Sequence, residues 1–77
     1  MKSESGRTYT VQASPDHMAW DLIPRGGGKI AGRVWKHNKG FAAQLDDFRD
    51  SEPRWFNRRS DAVDWVTSRF EYWEASR

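Results

Sequence analysis

A chain of 77 residues is enough for one small domain, since domains typically reach ~100–150 residues, and it excludes a two-domain enzyme, a Rossmann unit or a barrel. The formal net charge of +2 says little about partners, and no apolar run approaches the ~20 residues of a membrane span. With no cysteine, disulfides, thiolate metal sites and a cysteine nucleophile are excluded.

The opening MKSESGRTYT has no apolar core of the kind a secretory signal needs, so a cytosolic protein, or the mature part of something longer, is expected. Residues 1–7 are polar and read as a frayed end. From Thr8 to Ala13 the chain alternates, with Tyr9, Val11 and Ala13 on one side, which predicts a short strand. Ser14-Pro15-Asp16-His17 has turn composition. Met18 to Ile23 alternates again, grouping Met18, Trp20 and Leu22 opposite Ala19, Asp21 and Ile23. Pro24 removes a ladder donor, and Arg25-Gly26-Gly27-Gly28 follows as a hairpin connection.

Lys29 to His37 is the most informative predicted strand. One face carries Ile30, Gly32, Val34 and Lys36, and the other carries Lys29, Ala31, Arg33, Trp35 and His37. Asn38-Lys39-Gly40 supplies a tight turn. Phe41, Ala43 and Leu45 then point inward while Ala42 and Gln44 point outward. The acidic stretch from Asp46 to Pro53 reads as a solvated loop, and it lacks the spacing and central glycine of an EF-hand. Arg54 to Asn57 is a further short strand or an extended link. Ser60 is the expected N-cap of a helix whose stripe Val63, Val66, Phe70 and Trp73 adjoins a second stripe, Ala62, Trp65, Arg69 and Tyr72. The expected fold is therefore α+β, a single domain over residues 8–77: an antiparallel sheet of three to four strands with one C-terminal helix on one face.

Charge is unevenly distributed. Arg25, Lys29, Arg33, Lys36 and Lys39 fall in a run with no acid, the next block holds Asp46, Asp47, Asp50 and Glu52, and Arg54, Arg58 and Arg59 then restore positive charge. One surface can thus be strongly basic although the total is nearly neutral. Cations interleaved with an aromatic on a strand suit nucleic acid, the cations meeting phosphates or guanine edges and the ring packing on sugar or base. The competing reading puts Trp35 in the core and leaves the cations as surface charge. The outcome depends on which sheet face the helix covers.

The pattern Gly32-x-Val34, then Gly40-Phe41-x-Ala43-x-Leu45, then Phe56 six residues before Ala62, resembles the three-strand-plus-helix DNA-binding domains of plant ethylene-response factors and of the arm-binding regions of phage-type tyrosine recombinases. The resemblance covers residues 32–65. It implies that Arg and Trp side chains of an open sheet face reach the major groove of duplex DNA, which on this chain designates Arg33 and Trp35, with Lys36, Lys39 and Gln44 beside them. Lys29 and Arg58 complete the expected nucleic-acid-binding set through their charge. The family's arginine-rich opening is reduced here to Arg33.

Other groupings give weaker expectations. Trp65, Arg69 and Tyr72 contain residue types typical of interface hot spots, so the alternative function is capture of a protein, such as a host factor or defence complex blocked by a phage- or plasmid-encoded inhibitor. Gly26-Gly27-Gly28-Lys29 lacks the Gly-x4-Gly-Lys-Ser/Thr spacing of a phosphate loop. His17 and His37 have no metal-ligating companions, and no base, nucleophile and oxyanion site can be assembled. The sequence thus predicts a small, non-enzymatic, cofactor-free DNA-binding module.

Overall fold

The computed structural model describes residues 6–26, 29–46 and 53–75. Five strands, β1 (Tyr9–Ala13), β2 (Ala19–Pro24), β3 (Gly32–His37), β4 (Gly40–Leu45) and β5 (Arg54–Phe56), precede one helix, α1 (Arg59–Ala75). The strands form one antiparallel sheet in the order β1-β2-β3-β4-β5. The α+β class with strands first and a helix last is as expected, but with five strands, because residues 54–56 pair with β4 and do not merely link it to the helix.

The helix lies against β3, β4 and β5. Val34, Ala43, Leu45 and Leu22 from the sheet meet Ala62, Val63 and Val66 from the helix in one core, with Trp20, Phe41, Phe56, Trp65, Phe70 and Trp73 packed around it. Gly32 allows this approach: a Cβ there would stand 2.6 Å from the Gln44 carbonyl oxygen and 2.7 Å from Val66 Cγ1. The stripe Val63, Val66, Phe70 and Trp73 faces inward as its spacing predicts. Thr67, which no apolar pattern marks, is also buried, and its Oγ1 donates to the Asp64 carbonyl at 3.2 Å. That local bond satisfies the hydroxyl without a tertiary partner.

Several local expectations are corrected. Ala62 N–H donates to the Arg58 carbonyl, so Arg58 takes the cap position and Ser60 lies inside the first turn. The strand expected from Lys29 begins at Gly32, and Ala31, assigned to the solvent face, is buried in the core while its N–H donates to Leu22. Ala42 is directed outward but fully buried, because it lies between Trp35 and Trp55 in the cross-strand register. Pro24 does not end pairing. It lies opposite Tyr9 at a position of β2 whose neighbours Ile23 and Arg25 carry the bonds to β1, so its missing N–H leaves that ladder intact.

The N-terminal expectation is corrected in part. Residues 1–5 lie outside the described residues, but Arg7 pairs with Glu74 at the far end of α1, and its guanidinium lies 5.3 Å from the Phe70 ring centroid. Tyr9 reinforces this attachment, its hydroxyl donating to Glu71 at 2.5 Å and its ring meeting Phe70 edge-on. Of the acidic loop expected from Asp46 to Pro53, residues 47–52 lie outside the described residues, as do Gly27 and Gly28. The turns that are described follow their composition, with positive φ at His17 (59°) and Asn38 (51°).

Candidate nucleic-acid interface

The face covered by the helix is the one bearing Gly32 and Val34, so strand alternation leaves Arg33, Trp35 and His37 on the open face. Cross-strand register completes that face in rows. Gln12, Asp21, Arg33 and Gln44 form one row, and Ala19, Trp35, Ala42 and Trp55 the next. His37 sits beyond them and stacks on Trp55, with ring centroids 4.5 Å apart and 37° between planes. Trp55 is 59% exposed, while Trp35 is half-buried against Ala42. A cleft of about 380 Å³ opens beside the stacked pair, lined by His37, Asn38, Gly40, Trp55 and Asn57 among others.

The charge on this face differs from the expected basic surface. Asp21 lies directly opposite Arg33. Arg33 Nε donates to Asp21 Oδ1 at 2.7 Å, with a longer contact of 3.4 Å from Nη2 to Oδ2. This hydrogen bond, with the carboxylate's charge, raises the guanidinium pKa above its ordinary value. The pair cancels formal charge, but the Arg33 side chain stays 60% exposed. The centre of the face is therefore aromatic and polar, with one exposed cation on it.

The remaining expected contacts are divided. Gln44 adjoins Arg33 in the open row. Lys39 is exposed in the two-residue turn joining β3 to β4. Lys36 shares the parity of Val34 and so lies on the helix-bearing side, not with Arg33 and Trp35. It is exposed there, past the packed core. Arg58 is exposed just before the helix, close to the β3–β4 turn because Phe56 pairs with Phe41. Lys29 stands apart, exposed before β3 begins. Lys36, Lys39, Arg58 and Arg59 thus gather at one end of the molecule, and the open face runs up to that end. Arg59 is turned to the helix side, its guanidinium 5.1 Å from the Trp20 ring centroid.

Of the expected protein-capture patch, Trp65 and Arg69 are half-buried. Trp65 packs on Phe56 at 6.1 Å, the Arg69 guanidinium lies 6.0 Å from the Trp65 centroid, and of the three only Tyr72 is exposed. Sequence reasoning passed over Trp55 and Asp21 as site residues. Asp21 was recoverable, since its strand parity sets it against Trp20; Trp55 required the β4–β5 register. Among the described residues, no three His, Asp or Glu side chains gather where they could hold a metal ion, and no helix is long and apolar enough to cross a membrane. No family model, curated protein or solved structure matches the chain.

Proposed function

We propose that the chain is a non-enzymatic module that binds duplex DNA through the open face of β3, β4 and β5. The observation that carries this reading is the open row Trp35–Ala42–Trp55, with Arg33 and Gln44 beside it and Lys39 and Arg58 exposed near the β3–β4 turn. Three strands span ~10 Å, which fits a major groove ~12 Å wide; the whole five-stranded sheet, at ~19 Å, does not. The useful side chains fall on those three strands. Arg33 supplies a guanidinium for a guanine edge or phosphate, Gln44 an amide for a base edge, and the exposed Trp55 an apolar surface for sugar or thymine methyl. Lys39 and Arg58 stand where the backbone would pass, with Lys36 and Lys29 as peripheral charge.

The test is fluorescence anisotropy with a mixed-sequence duplex at several salt concentrations, with a single strand of equal length alongside. Arg33→Ala and Trp55→Ala are each expected to weaken duplex binding about tenfold, in line with a lost contact of ~1–3 kcal/mol. Affinity should also fall with salt at a slope of ~0.9 per neutralised phosphate. Equal affinity in both variants sinks the placement. Preference for the single strand retires the duplex and makes the Trp55–His37 stack a platform for unpaired bases.

A further inference from the structure

The two edges of the sheet are unlike. β5 is three residues long, begins with Arg54 and is preceded by Pro53, the features that keep an edge strand from recruiting another chain. β1 is five residues long with the sequence YTVQA, free of charge and proline. Its register against β2 runs without a bulge from Tyr9↔Pro24 to Ala13↔Trp20. An unguarded edge of this kind is a template for strand addition.

Hydrogen-bond parity shows which groups of β1 are presented. Ser14 N–H donates to Ala19, and Thr8 accepts from Arg25 N–H, so the even-numbered residues of β1 bond to β2. Thr10 and Gln12 are committed inward, while the N–H and C=O groups of Val11 and Ala13 are directed to the outer edge. On the helix-bearing side Tyr9 and Leu22 are buried in the core, but Val11, opposite Leu22, is 41% exposed. There a groove of about 760 Å³ is lined by Val11, Ala13, Trp20, Arg59 and Val63, among others.

We infer that β1 pairs antiparallel with β1 of a second copy of this chain, about a two-fold axis at Val11. Val11 opposite Val11 is a self-matched hydrogen-bonded pair made by outward groups alone. The same register places Thr10 of one copy beside Gln12 of the other on the open side, a polar pair, and sets two valines together on the helix side. No like charges meet across the junction, because β1 carries none. A second copy is favoured over an unrelated strand because this single register satisfies backbone, polar and apolar pairing with β1 itself. Both helices would lie on one side of a continuous sheet, and the two grooves would merge beneath them. Both open faces would then point the same way, so the dimer would present two copies of the candidate interface.

The experiment is sedimentation equilibrium of the full chain up to about 1 mM, a range that detects even weak association. Wild-type protein is expected to approach twice the chain mass of 9.0 kDa as concentration rises. Val11→Pro removes an outward N–H without touching the β2 ladder, and should weaken the dimer at least about tenfold while circular dichroism stays native. Val11→Lys, which sets two ammonium groups together at the axis, should do the same and serves if the proline variant unfolds. A chain that stays monomeric throughout, or a dimer indifferent to both substitutions, overturns the inference. DNA binding by a monomer would leave the proposed function standing, so the two readings fail separately.

Discussion

The sheet has two halves with different physical characters. The half formed by β3, β4 and β5 is clamped by α1, and its helix-facing positions are occupied by Val34, Ala43 and Leu45 at 2% exposure or less. The half formed by β1 and β2 is covered unevenly: Tyr9 and Leu22 are buried in the core, whereas Val11 and Ala13 on the same side are exposed. What keeps β1 in register is its ladder to β2 and the attachment of Tyr9 and Arg7 to the last turns of the helix. One sheet thus combines a rigid, tightly packed half that can hold side chains in fixed rows with an outlying half that has surface to spare. The proposed DNA contact uses the first half and the proposed association the second.

The largest expected effect breaks the clamp. Gly32→Ala would push a methyl against the backbone oxygen of Gln44 and against Val66. Because one of the two contacts is backbone and cannot rotate away, the loss should be about 3 kcal/mol, at the upper end for overpacking. Urea denaturation measures it directly. A loss below ~0.5 kcal/mol, typical of surface substitutions, would show that helix and sheet are not in close contact there.

Next, matched truncations compare the halves. Val34→Ala, at a fully buried position, should cost about 2 kcal/mol through lost transfer energy and an unfilled cavity. Val11→Ala, at an exposed position, should stay within ~0.5 kcal/mol when measured at concentrations where the chain is monomeric. Equal costs would mean that Val11 is as tightly covered as Val34, and the distinction would fail.

The attachment between the halves has a pH signature. Burial, reinforced by the hydrogen bond to Glu71, raises the Tyr9 phenol above its ordinary pKa, which is ~10 in an unfolded chain. A folded-state value above the unfolded one contributes stability that is fully present below pH ~10 and is lost as pH rises toward the folded value. Tyr9→Phe should therefore lower stability by about 1.5 kcal/mol at neutral pH, as expected for a bond to a charged acceptor, and flatten the alkaline decline. A decline of unchanged steepness would assign it to other groups.

How much of this was legible follows from the same division. Where the covered half alternates cleanly, as in Gly32-Arg33-Val34-Trp35 and Phe41-Ala42-Ala43-Gln44, period-two reading separated the faces correctly. The reading lost accuracy where tertiary register decides. Ala42 is buried on the outward side because Trp35 and Trp55 flank it from the neighbouring strands. Ala31 enters the core because the chain before Gly32 no longer follows strand parity. The family resemblance sets Lys36 beside Arg33 and Trp35, although its strand parity puts it on the other face. The basic patch was over-read for a related reason: a linear tally of cations does not show that Asp21 arrives opposite Arg33 from another strand.

That pairing gives the smallest expected effect, and the one that bears most directly on the open face. Any phosphate or guanine edge that engages Arg33 must compete with the Asp21 carboxylate, which already accepts from Nε at 2.7 Å. The pair is surface-exposed, so its loss should change fold stability by less than ~1 kcal/mol. Asp21→Asn keeps the shape of the side chain, removes its charge and weakens its hold on the guanidinium. Duplex affinity should rise about threefold, an effect that shrinks with added salt as screening weakens the repulsion it relieves. Arg33→Ala combined with Asp21→Asn should erase most of that gain, because the gain acts through Arg33. If Asp21→Asn instead weakens binding, the carboxylate is orienting Arg33 toward DNA, and the row Asp21–Arg33–Gln44 works as a preset reading element.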